Sequence, residues 1–107
     1  MKPDYRKFPD GREEWREDGF LHREDGPAVY NERTGYKAWW VNGILHREGG
    51  PAIIYPDGEE EWYVDGLLHR EDGPAVSRGK KGLPEYWLHQ KQFKSLEDLQ
   101  VYLVMKS

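Results

Sequence analysis

The nine residues LHREDGPAV occur twice in this chain, at 21–29 and at 68–76, and a close copy, LHREGGPAI, occupies 45–53. Each copy follows a tryptophan and a glycine at fixed distances, so the unit reads W-x-x-x-G-x-L-H-R-x-x-G-P-A. Trp15, Trp39 and Trp62 mark a period of 24 and then 23 residues. A period of roughly 20–50 residues is typical of a repeat architecture, in which each unit buries its apolar face against its neighbours.

The turn residues of each copy predict β-hairpins. Asp18-Gly19, Asn42-Gly43 and Asp65-Gly66 are dipeptides that accept positive φ at both central positions of a type I′ turn. Pro-Asp-Gly at 9–11 and at 56–58 predicts turns at the opposite ends of the strands. The segments between these turns are rich in Trp, Tyr and Val, which suit a pleated surface. The sequence therefore predicts a mostly β protein of stacked β-hairpin repeats that form an elongated, twisted antiparallel sheet.

The chain is expected to form one domain over 1–107, because this length leaves no room for a second core. Its predicted parts are a half repeat at 1–14, repeats at about 15–37, 38–60 and 61–84, and a degenerate repeat at 85–94. We expect Met1–Lys7 to be a frayed end or a sheet edge, because it has only half a unit around it. An exposed edge of this kind often pairs with a second copy, which leaves a homodimer open.

The last copy loses its Gly-Pro-Ala segment and gives way to a helical pattern. Ser95 followed by Asp98 resembles a capping box, and Leu96, Leu99 and Leu103 then fall on one helical face. This pattern predicts a helix at about 96–105. Because a stack of hairpins ends in an open apolar face, we expect this helix to cap the sheet.

The overall composition is more polar than that of most folded proteins. The mean hydropathy of −1.01 and the 34% of charged residues border on disorder, but five Trp and seven Tyr recur in register and predict a thin aromatic core. The chain has no cysteine, which excludes disulfides and thiolate metal sites and fits a reducing compartment. Because no apolar stretch follows Met1, we expect a cytoplasmic protein without a membrane span.

Strand alternation separates the residues around the repeated aromatic position into two sets. The more apolar set, expected to face the core, is Trp15, Trp39, Trp62 and Tyr86 with Glu17, Val41, Val64 and Leu88. The other set is expected to face water and contains Arg16, Trp40, Tyr63 and Trp87. We predict that these four residues bind a partner, because aligned exposed aromatic residues mark interaction surfaces. Alternatively, the rings cover neighbouring backbone or receive the C-terminal helix.

His22, His46 and His69 recur in register and invite a metal or hydrolytic interpretation. Each lies in the same Leu-His-Arg frame, however, where its ring can hydrogen-bond the adjacent turn or stack on the next unit. We therefore predict a structural role, with no metal site, no cofactor and no catalytic residue. Asp25 and Asp72 are expected to support the turn before Gly-Pro through their side-chain oxygens.

The charge pattern argues against nucleic acid as a partner. Arg78–Lys81 is a short basic loop, and cations of this kind can contact phosphates. The net charge of −4 and the mixed surface around the loop give no electrostatic footprint for a polyanion.

The unit W-x-x-x-G-x-L-H-R-x-x-G-P-A-V resembles the small MORN-like repeat proteins of bacteriophages and bacteria over Phe8 to about Leu88. The resemblance implies stacked β-hairpins without enzymatic activity. These proteins share no established single function, so the resemblance transfers the fold and not a mechanism. The segment after Leu88 departs from the pattern.

Three functions follow as hypotheses. The first is a non-catalytic protein-interaction module, and the phage-like resemblance implies an inhibitor of a host defence or regulatory protein, such as an anti-CRISPR-type inhibitor in the host cytoplasm. The alternative is a protein that sequesters a small ligand or nucleotide through Trp and Arg side chains. A hydrolase that uses the repeated histidines is the third.

Overall fold

The computed structural model describes residues 4–107, which are built mainly of short antiparallel strands. The strands are Asp4–Lys7 (β1), Arg12–Glu17 (β2), Phe20–Leu21 (β3), Val29–Asn31 (β4), Lys37–Ala38 (β5), Trp40–Val41 (β6), Ile44–Leu45 (β7), Ile53–Ile54 (β8), Glu60–Glu61 (β9), Tyr63–Val64 (β10), Leu67–Leu68 (β11), Val76–Ser77 (β12), Tyr86–Leu88 (β13) and Lys91–Phe93 (β14). A 3₁₀ turn at Gly79–Lys81 and a helix at Leu96–Lys106 (α1) complete the fold. The predicted mostly β architecture of hairpins with one C-terminal helix is confirmed.

The hairpins are joined into one stack. The largest sheet has the order β1-β2-β4-β5-β8-β9-β12, with β3 paired to β2, and three further hairpins are formed by β6–β7, β10–β11 and β13–β14. Backbone hydrogen bonds link successive hairpins at equivalent positions, because Gly43 N donates to Leu21 O at 2.9 Å and Gly66 N to Leu45 O at 2.8 Å. The described chain measures 46 × 33 × 17 Å and is therefore a thin slab.

β1 is the edge strand of the large sheet, as expected for the half repeat. Its residues Tyr5 and Arg6 pair with Trp15 and Glu14 of β2. The rest of the segment expected to fray or to form an edge, Met1–Pro3, lies outside the described residues.

The predicted type I′ turns have the required backbone conformation. Asp18, Asn42 and Asp65 have φ values of 53°, 50° and 52°, and the glycine after each of them also has a positive φ. His89 and Gln90 keep the same conformation, with φ of 44° and 68°, although neither is glycine. The fourth hairpin therefore retains the turn of the others in spite of its sequence.

Three repeated alanines lie in the buried centre of the slab. The alanines of the three Gly-Pro-Ala segments are 0% exposed, and they are Ala28, Ala52 and Ala75. The carbonyl of each accepts a hydrogen bond of 2.7–2.8 Å from the backbone N–H of a repeated tryptophan, in the pairs Trp15–Ala28, Trp39–Ala52 and Trp62–Ala75. Val29, Ala38 and Ile53 form a further cluster, called here the central cluster.

The expected division into one core face and one water face is wrong. Trp40 and Tyr63, expected to face water, are half-buried and pack against the central cluster. Trp39 and Trp62, expected in the core, are only half-buried, whereas Leu88 of the same set is buried. Alternation identifies the residues that share a face. In a slab this thin, side chains of neighbouring repeats partly cover both faces, so neither face is a core.

The C-terminal helix begins at Leu96, as predicted, and ends at Lys106, one residue beyond the predicted end. Ser95 is its N-cap, and Ser95 Oγ accepts a hydrogen bond of 3.1 Å from Asp98 N. Leu99 is 0% exposed, and the helix lies against β13 and β14, so it covers the last hairpin. Among residues 4–107, no helix has the length and apolar character needed to cross a membrane.

Candidate interaction surfaces

The residues predicted to contact a partner are bonded within their own strands. The predicted set is Arg16, Trp40, Tyr63 and Trp87, and all four are half-buried. Three of them donate to the glutamate two residues earlier, at 2.9–3.1 Å, in the pairs Arg16–Glu14, Tyr63–Glu61 and Trp87–Glu85. Burial, together with the Glu61 hydrogen bond, raises the pKa of Tyr63. These side chains stabilise the sheet, and their predicted role in binding stays a prediction.

Trp40 differs from the rest of this set because Ala38 occupies the position of the glutamate. Its indole Nε1 is buried and has no hydrogen-bond partner within the described residues. Ala38 is 0% exposed and belongs to the central cluster, so the second repeat exchanges a hydrogen bond for apolar packing.

The repeated histidines connect each hairpin to the next one. The Nδ1 atom of each ring accepts a hydrogen bond of 3.0–3.1 Å from the backbone N–H at the turn of the following hairpin, in the pairs His22–Asn42, His46–Asp65 and His69–His89. The rings of His69 and His89 also lie 4.1 Å apart. The predicted hydrogen bond between each histidine and the adjacent turn is confirmed, with the ring as the acceptor, and its repetition shows that these rings stabilise the stack.

The repeated arginines lie flat on the repeated tryptophans. The guanidinium carbon is 3.8 Å from the indole centroid in the pairs Arg23–Trp15, Arg47–Trp39 and Arg70–Trp62. Nη1 of each arginine also donates to the carbonyl of the following Gly-Pro proline at 3.1–3.2 Å. Asp25 and Asp72 accept from the Nε atoms of Arg23 and Arg70 at 3.1 and 2.9 Å. Their predicted role in the turn is therefore replaced by an ion pair with the arginine.

The glycine of each Gly-Pro segment leaves space for this arginine. A Cβ atom on Gly50 would lie 2.8 Å from Cζ of Arg47, and one on Gly73 would lie 2.8 Å from Cζ of Arg70. Gly49 occupies the position of Asp25 and Asp72 in the second repeat, so Arg47 lacks their carboxylate. Burial lowers the pKa of Arg47, and the nearby Glu60 partly offsets this effect.

Open grooves lie between successive repeats on the face of the stacked arginines. The groove between the first two repeats has a volume of 770 Å³ and is lined by Arg23, Glu24, Trp39 and His46 among others. The next groove, of 620 Å³, has the equivalent lining from the following repeats. The guanidinium groups of the arginines on this face are bonded to proline carbonyls. The side chains that project from the rims of the grooves are therefore mainly carboxylates.

Sequence reasoning missed a row of exposed apolar side chains along the hairpin turns. Phe20, Ile44 and Leu67 are 58%, 49% and 37% exposed, and each is the residue directly after the turn glycine. We call this row the apolar ladder. The signal was present in the unit as the variable residue of G-x-L-H-R, which is apolar in three copies and Lys91 in the fourth.

The outer face of α1 is a second exposed apolar surface. Val101, Val104 and Met105 are 51%, 73% and 81% exposed, and Glu97 and Gln100 border them. The opposite side of the helix packs on the last hairpin through Leu99. This outer helix face is therefore an exposed apolar surface on a helix that packs against the last hairpin.

The basic loop has less free charge than its sequence indicates. Arg78 pairs with Glu85 at 2.7 Å, and Lys81 pairs with Asp57 at 2.8 Å. The hydrogen bond from Lys81, together with that from the backbone N–H of Glu59, lowers the pKa of Asp57 to about 2. Two of the three cations are thus engaged with carboxylates.

Residues 4–107 contain no group of three or more His, Asp or Glu side chains arranged to hold a metal ion. No family model matches the sequence, and neither a curated protein nor a solved structure matches it. The resemblance to MORN-like repeats stays an expectation.

Proposed function

We propose that this protein is a non-catalytic interaction module that binds a host protein and inhibits its defence or regulatory function. The observation that carries the proposal is the outer helix face, where Val101, Val104 and Met105 project from a helix anchored on the last hairpin. Exposed apolar surfaces with a polar rim are typical of protein interaction sites. The host-directed part of the proposal comes from what the phage-like resemblance implies.

The scaffold supports this proposal because its repeated histidines and arginines are engaged within the stack. The three histidines accept backbone hydrogen bonds, and the three arginines stack on tryptophans. A nucleophilic mechanism needs a nucleophile held against a free base. These residues stabilise the repeat stack instead, which leaves the exposed apolar residues for recognition.

The test is affinity capture from a bacterial lysate with quantitative mass spectrometry. The double variant Val104→Ser/Met105→Ser should lose the captured host protein, while Leu83→Ser, which changes an 85% exposed residue outside the helix, should keep it. A second arm uses Trp40→Ala/Trp87→Ala, which tests the predicted aromatic contacts. Circular dichroism of each variant controls for folding.

The outcomes separate the surfaces. Loss of capture only with the helix variant supports the outer helix face, and loss only with the tryptophan variant assigns binding to the aromatic set. Equal capture by all variants would assign binding to neither of these two surfaces. The absence of any protein enriched over a bait-free control would contradict the proposed function.

A further inference from the structure

The apolar ladder has the spacing of a regular recognition surface. Phe20 pairs with Glu17, Ile44 with Val41 and Leu67 with Val64 in their hairpins. Cross-strand partners lie on the same face of a sheet. Val41 and Val64 line the two grooves, so the ladder lies on the face that carries the grooves. Each of the first two side chains reaches the next repeat, because the ring of Phe20 lies 2.9 Å from a Cβ built on Gly43 and Cγ2 of Ile44 lies 3.2 Å from one built on Gly66.

The distance between its rungs follows from the sheet order. The equivalent strands β2, β5 and β9 are each separated by one intervening strand. Equivalent residues of successive repeats are therefore two strand spacings apart, or about 9.6 Å. Seven residues of an α-helix rise about 10.5 Å. Apolar side chains at positions i, i+7 and i+14 of one helix can thus meet the three rungs in turn.

The charges beside the ladder are mainly negative. Glu24 and Glu71 extend over the same face, with carboxylate oxygens 3.7 Å from Nε2 of His22 and 3.4 Å from Nε2 of His69, and their side chains are 89% and 65% exposed. Asp65, in a turn next to the ladder, is 82% exposed. Arg23 and Arg70, the arginines beside these carboxylates, pair instead with Asp25 and Asp72 at 3.1 and 2.9 Å, so neither neutralises Glu24 or Glu71.

We propose that the apolar ladder and its flanking carboxylates bind a basic amphipathic helix of a partner protein, with apolar side chains at heptad spacing. An amphipathic helix places its apolar face on an exposed apolar surface, and charges of opposite sign at the rim set its orientation. A second copy of this chain is a poorer occupant, because its own helix begins with Glu97 and Asp98. The inference rests on the proposed function, since it names the chemistry of the protein partner.

Isothermal titration calorimetry with designed peptides tests this assignment. The probe is an amidated peptide of about 21 residues, or three heptads, with leucine at the apolar positions and lysine on the flanks. Its control has glutamate in place of every lysine. The protein is used as wild type, as Ile44→Ser/Leu67→Ser, as Glu24→Gln/Glu71→Gln and as Leu83→Ser, a matched exposed apolar residue outside the ladder.

We expect the lysine peptide to bind wild type and Leu83→Ser equally, and to bind Ile44→Ser/Leu67→Ser at least about tenfold more weakly. The Glu24→Gln/Glu71→Gln variant should lose affinity at about 0.05 M salt and much less at about 0.3 M, because salt screens exposed charges. The glutamate peptide should not bind. Thermal melts verify that each variant is folded.

The assignment is overturned if the lysine peptide fails to bind wild type, if the ladder variant binds it normally, or if the glutamate peptide binds as well. These failures leave the lysate experiment untouched, because its decisive variants lie on α1. Conversely, a lysate without a captured protein would contradict the host-directed function even if the peptide binds the ladder.

Discussion

Gly50 is the position where one methyl group tests the stacked arginine most directly. The three atoms nearest to a Cβ built there all belong to the guanidinium group of Arg47, at 2.8, 2.9 and 3.0 Å. The φ angle of Gly50 lies outside the left-handed region, so the backbone itself accepts alanine. The Gly50→Ala substitution should therefore displace Arg47 from Trp39 and from the carbonyl of Pro51.

The size of the effect follows from the contacts that the displaced arginine loses. The stack on Trp39 at 3.8 Å contributes about 1 kcal/mol to the free energy of unfolding. The hydrogen bond to Pro51 O at 3.1 Å contributes about 1.5 kcal/mol, since its donor is charged. Replacing glycine by alanine restricts the unfolded chain, which offsets about 0.5 kcal/mol of this loss in the free energy of unfolding. Gly50→Ala should thus lower the free energy of unfolding by about 2 kcal/mol.

The background of Arg47→Ala should reverse the sign of this effect. Arg47→Ala removes the three atoms that clash with the added methyl group, so only the effect of Gly50→Ala on the unfolded chain remains. Gly50→Ala should then stabilise the protein by about 0.5 kcal/mol. Gly49→Ala is the matched control: it has nothing within 4 Å but a φ of +79°, so it should destabilise by about 1 kcal/mol in both backgrounds.

Urea unfolding followed by tryptophan fluorescence gives these free energies for all variants. The interaction energy of the cycle is the difference between the effect of Gly50→Ala with and without Arg47. If Gly50→Ala destabilises equally in both backgrounds, the glycine serves the backbone and the reasoning about the arginine is refuted.

Two further predictions concern single side chains. The pKa of Asp57 is lowered to about 2 from an ordinary value of 3.8, so its stabilising effect is present above pH 4 and is lost as the pH falls towards 2. Asp57→Asn should remove this part of the acid unfolding profile. Identical profiles for the variant and the wild type would refute the prediction. Trp40→Phe removes an indole N–H that is buried without a partner, whereas Trp87→Phe removes one that is hydrogen-bonded to Glu85 at 3.0 Å. Urea unfolding should therefore show Trp87→Phe to be about 1 kcal/mol more destabilising than Trp40→Phe. The reverse order would contradict the assignment.

The turns and the helix could be predicted from the sequence because their determinants are local. Asp18-Gly19 and its equivalents accept positive φ at both positions, and Ser95 supplies a cap oxygen at the start of α1. The turn at His89-Gln90 shows the limit of this approach. Its two residues have φ of 44° and 68° without glycine, because the repeat stack imposes the conformation, and Gln90 N donates to Leu68 O at 3.0 Å.

The covered face could not be predicted, because it depends on contacts between repeats. Alternation places Trp39 and Trp40 on opposite faces, but it does not show that Arg47 covers the first or that the central cluster supports the second. The role of Gly50 was hidden for the same reason, since its neighbour is a side chain whose position follows from the stack. The apolar ladder occupies the variable position of the unit, and its exposure depends on how the hairpins stack.

The stacked arginines also weaken the small-ligand alternative. A nucleotide site needs guanidinium N–H groups free to meet phosphate oxygens. In the first groove, Arg23 donates to Pro27 O and Asp25 while it lies on Trp15. A phosphate would have to break these contacts and would meet the exposed carboxylate of Glu24 at the rim. The arginines and histidines that repeat without change are therefore committed to the stack, whereas the ladder residue varies between copies and is exposed in three of them.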